Sequence, residues 1–248
     1  MPLQHNTLEE FLSKARVEAD VFALQPDCRV MLLAVEGLMP GPSDQGSEVL
    51  LETAEIRARD ALRDQTVEQL PHVAAWREAY RAFGAKPQRT RNSVEALLRR
   101  AASGLPRVNR LTDIYNAVSV IHQSPVGGED LTRYVGAPRL ARAGGEECFE
   151  TSVGGEAETE HPAPGEVIWL DDIGVTCRRW NWRQAQRTQL SGDTTSALFI
   201  LDVLDPVTDD ALKTAADDLV GNLTRLGTDL QFACRQISSE DSRSADAN

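Results

Sequence analysis

Leu105-Pro-Arg-Val-Asn109-Arg-Leu-Thr-Asp113-Ile-Tyr-Asn116-Ala-Val-Ser119, running on to Pro125-Val-Gly-Gly-Glu-Asp130, is the stretch on which the reading of this chain turns. Leu111, Ile114, Tyr115, Val118 and Ile121 recur at helical spacing, which predicts a helix over residues 111–122 with one buried face. That face leaves Asp113 and Asn116 near one edge. Asn109, Asp113 and Asn116 are spaced four and three apart, so they share one helical stripe if the helix starts early enough. Two readings stay open. The three side chains cap the helix and satisfy loop amides, or they line a cleft and orient water and substrate. The doublets Gly127-Gly128 and Gly144-Gly145 read as turn material.

Working outward, Asn6-Thr7 ahead of Leu-Glu-Glu-Phe-Leu opens an amphipathic helix expected to reach about Leu24, where Pro26-Asp27 breaks it. Arg29-Val-Met-Leu-Leu-Ala-Val35 has the unbroken apolar run of a buried strand. Residues 47–63 and 66–83 read as helices, with Gly84 suited to a left-handed cap. After a basic linker, Asn92-Ser-Val-Glu95 has the form of a capping box and opens a helix over residues 94–102. Beyond Pro125, Leu140-Ala-Arg, Glu147-Cys-Phe-Glu, Val167-Ile-Trp-Leu and Val175-Thr-Cys-Arg read as strands, and residues 154–164 as an exposed acidic loop. Glu166, Asp171 and Asp172 read as exposed strand ends. Residues 197–203, a helix over 208–226 and residues 230–234 form a strand–helix–strand unit. The expectation is an α/β fold of the mixed α+β kind, a helical N-terminal part on a mixed sheet, as one domain over 1–237. The polar tail from Ser238 is expected to be disordered.

The chain has 248 residues, 41% of them hydrophobic, enough to bury a core without metal or disulfide staples. No apolar run approaches membrane-spanning length, and Met1-Pro-Leu-Gln-His-Asn lacks the basic and apolar regions of a secretory leader, so a cytoplasmic protein is expected. Cys28, Cys148, Cys177 and Cys234 form no C-x-x-C pair, and His5, His72, His122 and His161 form no H-x-x-x-H. No metal and no cofactor are therefore expected, the cysteines read as buried reduced thiols, and His122 as a packed neutral imidazole. Phosphate-binding glycine loops and nucleophile elbows are absent from the sequence.

Net charge is −12, yet thirteen of the 26 basic residues fall in two short segments. Residues 76–110 hold nine basic and two acidic side chains; residues 173–191 hold Arg178, Arg179, Arg183 and Arg187 and no acid. Such clustering suits a phosphate-tracking surface, and it equally suits solvated faces paired with acidic neighbours. Cys177-Arg-Arg-Trp180-Asn181-Trp182-Arg183 admits a similar pair of readings. Trp180 and Trp182 share one face of a strand as core, or they offer stacking planes beside cations for a single-stranded RNA end.

Trp76-Arg-Glu-Ala-Tyr80-Arg-Ala-Phe-Gly-Ala-Lys-Pro87, Arg91 to Arg100, the opening stretch and the Cys177–Arg183 segment together resemble the freestanding version of the B3/B4 tRNA-editing domain found in the phenylalanyl-tRNA synthetase beta subunit. The resemblance is strongest over 76–203. In that family an Asn-x-x-x-Asp-x-x-Asn helix leads to a Pro-x-His-Ala-x-Asp turn; Asn109, Asp113, Asn116, Pro125 and Asp130 match, and Gly127 stands at the histidine position. The resemblance implies a cleft for the aminoacylated 3′ end of tRNA and deacylation of a mischarged aminoacyl-tRNA in trans by a positioned water. The alternative it leaves is a non-catalytic module that binds tRNA or an amino acid. It implies Asn109, Asp113, Asn116 and Asp130 as catalytic residues. Substrate contacts would come from Arg99, Arg100, Gly127, Gly128, Arg178, Arg179, Trp180, Asn181, Trp182 and Arg183, with tRNA as partner and neither DNA nor membrane expected.

Overall fold

The computed structural model describes residues 5–226 and 229–241. The helical N-terminal part comprises α1 (His5–Ser13), β1 (Arg16–Val17), α2 (Ala19–Leu24), β2 (Arg29–Glu36), α3 (Gln45–Ala61), α4 (Pro71–Ala82), α5 (Ser93–Ala101) and α6 (Arg110–Ile121). Then follow β3 (Val126–Asp130), β4 (Arg139–Arg142), β5 (Phe149–Val153), β6 (Glu156–Glu160), β7 (Val167–Leu170), β8 (Val175–Arg178) and β9 (Arg183–Gln184). The chain closes with β10 (Ser196–Val203), α7 (Asp209–Thr224) and β11 (Gln231–Ile237). This is the mixed α+β architecture expected from the sequence.

Two sheets make the frame. One is antiparallel in the order β11-β2-β10-β3, the other runs β1-β4-β7-β8-β9, and β5 and β6 pair as a separate hairpin. Among the described residues only β1 pairs in parallel, on β4. Strand β2 lies between β11 and β10 and is buried on both faces, which is why its sequence shows no alternation. Met31, Leu33 and Val35, with Phe199 and Leu201 of β10, pack on one side against Leu111, Ile114 and Val118 of α6 and Leu212 and Leu219 of α7. Val30, Leu32, Ala34, Leu198 and Ile200 face the other way, onto Trp169 and Cys177 of the second sheet, Trp180 between β8 and β9, and Trp76 and Tyr80 of α4. The layer between the sheets thus carries the large aromatics, whose burial dominates such cores.

Several local expectations change in three dimensions. The first helix stops at Ser13 because the Arg235 guanidinium from β11 takes the carbonyls of Leu12, Ser13 and Ala15 at 2.6–2.8 Å, leaving Arg16-Val17 free to pair with β4. Gly154 and Gly155 both have positive φ, so residues 154–164 supply a tight hairpin turn and the strand β6 rather than a loop. Strand β5 begins later than expected because the Glu147 carboxylate accepts the Gly144 and Gly145 amides, holding that segment in a turn. Gly127-Gly128 is not a turn but part of β3, paired with Phe199 and Ile200. Glu166 and Asp171 are buried, and Asp172 is exposed. Cys28 and Cys177 are buried, whereas Cys148 and Cys234 are exposed. His122 is half-buried and meets Asp218 of α7 at 3.1 Å. Residues 239–241 are helical and the Asp241 carboxylate accepts the Ser238 amide; the rest of the expected tail lies outside the described residues. Among the described residues no helix is long and apolar enough to cross a membrane.

Candidate active site

The face of β3 and β10 turned toward the second sheet carries Gly127 opposite Ile200 and Glu129 opposite Leu198, with Asp202 further along β10. A cavity of about 260 Å³ lies over this face, between α5, α6 and the segment 177–184. Its inner wall holds Glu129, Asp202, Trp169, Cys177 and Trp180, and Asn116 reaches it from α6. Arg100 of α5, which is exposed, and the half-buried Trp182 and Arg183 form its mouth.

The segment that closes the cavity takes an uncommon path. Arg179 and Trp180 have φ of 47° and 68°, consecutive non-glycine residues in the left-handed region, an arrangement that persists only where surroundings enforce it. Here the Trp180 amide donates to the Val167 carbonyl at 2.6 Å and the Trp182 amide to the Arg178 carbonyl at 3.1 Å. The bend drives Trp180 fully into the core, edge-on to Trp76 with centroids 5.0 Å apart. Trp180 and Trp182 therefore do not share a strand face. Trp182 stays half-buried with the Arg179 and Arg183 guanidiniums 4.3 and 5.2 Å from its ring centroid. Asn181 ties the segment to the helices. Its carbonyl accepts the Ser93 amide at 3.1 Å, and its side-chain oxygen accepts the Tyr80 hydroxyl at 3.0 Å.

Two buried acids give the cavity its electrostatic character. Burial raises the Glu129 carboxyl to about 7, although the Tyr134 hydroxyl donates to it at 2.5 Å. Burial raises Asp202 to about 7 as well, against the opposing pull of Asn181, Trp180 and Trp169 nearby. One Asp202 oxygen, the Trp169 and Trp180 indole N–H groups and the Asn181 amide nitrogen all lack a hydrogen-bond partner. Repulsion from Glu129 adds a smaller share to the rise of Asp202. Cys177 between them is pushed well above its ordinary value by burial, so it is a neutral thiol and not a nucleophile at neutral pH.

The structure places the residues expected from sequence in three groups. Arg100, Asn116, Gly127, Trp180, Asn181, Trp182 and Arg183 line the cavity. Asn109, Asp113 and Asp130 sit behind it on structural hydrogen bonds. Asn109 caps α6 by accepting the Thr112 amide at 2.9 Å. Asp113 accepts the Val108 amide at 2.9 Å and faces the Ser47 hydroxyl of α3. Asp130 accepts the Thr132 amide and the Thr132 and Thr194 hydroxyls at 2.6–3.0 Å. Arg99, Gly128, Arg178 and Arg179 form the third group, away from the cavity. Gly128 faces α6, and the others bind acids: Arg99 meets Glu95 and Glu68, Arg178 meets Glu166 and Glu160, and Arg179 meets Glu166. Glu129 and Asp202 escaped the sequence reading. The available signal was an acid inside the apolar run Ala197-Leu-Phe-Ile-Leu-Asp202-Val, since an unpaired buried carboxylate is rare outside functional sites.

The B3/4 domain family model matches residues 75–226. The chain belongs to the B3/4 domain family. A search of curated proteins gave no match. Among solved structures, this B3/4 protein is similar to an N-terminal fragment of the phenylalanyl-tRNA synthetase beta subunit from Pyrococcus horikoshii, at 13% identity and a TM-score of 0.44. The match covers 88% of this chain and 50% of that one, so the B3/4 protein spans about half the fragment's length.

Proposed function

We propose that the cavity receives the aminoacylated 3′ end of a tRNA and that the protein hydrolyses the ester in trans. What carries this reading is Glu129, a buried carboxylate on the cavity wall poised near neutral pH, in the same cavity as Asn116, whose side chain makes no hydrogen bond among the described residues. Ionised Glu129 takes a proton from a water whose oxygen attacks the ester carbonyl. The carbon–oxygen bond to the ribose then breaks, and the departing ribose oxygen recovers the proton from Glu129. The Asn116 and Asn181 amides donate to the carbonyl oxygen as it gains negative charge. Asn109, Asp113 and Asp130 are positioning residues in this scheme, since they fix the start of α6 and the end of β3. Arg100 at the mouth meets the terminal phosphates.

The test is a deacylation panel with each charged tRNA and the full-length protein. The expected result is turnover of at least one aminoacyl-tRNA, at a rate that climbs with pH to a plateau above about 7, because Glu129 must be ionised to act. Glu129→Gln, folded as judged by its melting transition, should lose roughly two orders of magnitude in rate. Binding without turnover across the panel would leave a non-catalytic module instead.

A further inference from the structure

Asp202 is 2% exposed and lines a solvent-connected cavity, yet it forms no ion pair among the described residues. An isolated carboxylate in such a place is costly, and proteins that keep one usually supply a counter-ion. None is at hand. Arg183 is engaged with Glu160, and Arg187 is held by both oxygens of Asp171 at 2.9 Å. The indoles of Trp169 and Trp180 and the amide of Asn181 lie close enough to Asp202 to pull its titration down, and one carboxylate oxygen has no hydrogen-bond partner among the described residues. Charge is also ordered along the cavity, acids within and the cations Arg100 and Arg183 at the mouth.

We propose that this cavity binds a protonated amine, with the Asp202 carboxylate as its counter-charge and the indoles of Trp169 and Trp180 as water-excluding walls. Under the function proposed above, on which this inference rests, the amine is the α-ammonium group of the aminoacyl ester. The ligand's negative end then falls at Arg100. In the empty protein a proton takes the place of the amine, so binding near neutral pH displaces that proton. Asp202 faces Glu129, Cys28, Tyr80 and Cys177. The thiols and the phenol are pushed well above their ordinary values by burial and stay neutral, so only the two acids titrate in this range.

Calorimetric titration of the full chain with amide probes tests the assignment. L-alaninamide and L-phenylalaninamide carry only the α-ammonium, Nα-acetyl-L-lysinamide only a side-chain ammonium, and N-acetyl-L-phenylalaninamide neither. At about pH 7.5, where the Asp202 carboxyl has lost its proton and an α-amine titrating at about 7.7 still keeps most of its own, the α-ammonium probes should bind at least about tenfold tighter than the acetylated control, a difference of about 1.4 kcal/mol. Their affinity should fall as pH drops below about 7, and buffers of different ionisation enthalpy should reveal proton release. Asp202→Asn should abolish the preference and Asp202→Glu should restore part of it; the proton-release measurement needs no variant. Equal binding of the acetylated control, binding of the lysine probe alone, absence of proton release, or no binding by any ammonium probe would overturn the proposal. Amine preference without deacylation of any aminoacyl-tRNA would sink the hydrolase reading and leave this one standing. Deacylation without amine preference would do the reverse.

Discussion

Asp202 and Glu129 show what a buried acid does to stability as well as to chemistry. Free carboxylates titrate near about 4, whereas both groups titrate at about 7 in the folded protein. Between those values the native state holds more protons than the unfolded chain, so unfolding free energy falls as pH rises through this window and levels off above it. Asp202→Asn should flatten that fall while leaving stability below about pH 4 nearly unchanged. Urea denaturation across the window checks this, and identical slopes for the two proteins would show that Asp202 carries no such penalty. Neither acid was read from sequence as a site: an acid inside the apolar run of β10 was a signal for Asp202, but nothing in the primary structure says that alternate residues of β3 and β10 look onto a cavity. Asn116 was legible, since helical spacing alone put it at the edge of the apolar face of α6. The same spacing grouped it with Asp113, which the structure turns to α3 and the Val108 amide instead.

At the level of elements, three glycine doublets meet three fates. Gly154-Gly155 makes a tight hairpin, Gly144-Gly145 is held by the Glu147 carboxylate, and Gly127-Gly128 runs straight through a strand. The first two fates are set by neighbours a few residues away, whereas the partners that make Gly127-Gly128 a strand, Ile200 and Phe199, lie far along the chain, where local sequence does not show them. In β3 the glycines are required by close neighbours. A Cβ on Gly128 would stand 2.9 Å from the Tyr115 ring, whereas one on Gly127 would stand 3.3 Å from the Gln184 amide nitrogen. Gly128→Ala should therefore destabilise the fold by about 1–3 kcal/mol, and Gly127→Ala by less, with its effect falling on the cavity instead. Chemical denaturation of the pair distinguishes them, and equal losses would contradict the packing described for β3. The long apolar strands and the helices with clear caps were readable because their signals are local: β2 is buried on both faces, and Asn92 and Asn109 accept the amides three residues on.

Across the whole molecule, the two arginine-rich segments do meet, through Arg179 and Thr90 at 2.5 Å and through Ser93 and Asn181. Most of their charge is nevertheless spent internally. Glu95, fully buried, gathers Arg77 and Arg99, and Glu166 and Glu160 gather Arg178, Arg179 and Arg183. Composition showed the clustering and could not show the partners. Arg100 makes no ion pair among the described residues and stands at the mouth of the cavity. Arg100→Glu should accordingly weaken tRNA binding and reduce its salt slope by about one to two, measured by filter binding at several salt concentrations. Arg99→Glu should instead lower the melting temperature, because it sets a like charge beside Glu95 and Glu68. Unaltered binding in the Arg100 variant would remove that residue from the proposed tRNA interface. The self-neutralised arginines also bear on the speed of encounter. At low ionic strength, where charges are felt over about 30 Å, an arriving polyanion senses the net charge of −12 before it senses the mouth. Added salt shortens the reach of that repulsion first, and only later weakens the short-range pull of Arg100. Productive collisions should thus be fastest at intermediate salt, and a fast-approaching nucleic acid would have to come in already aligned.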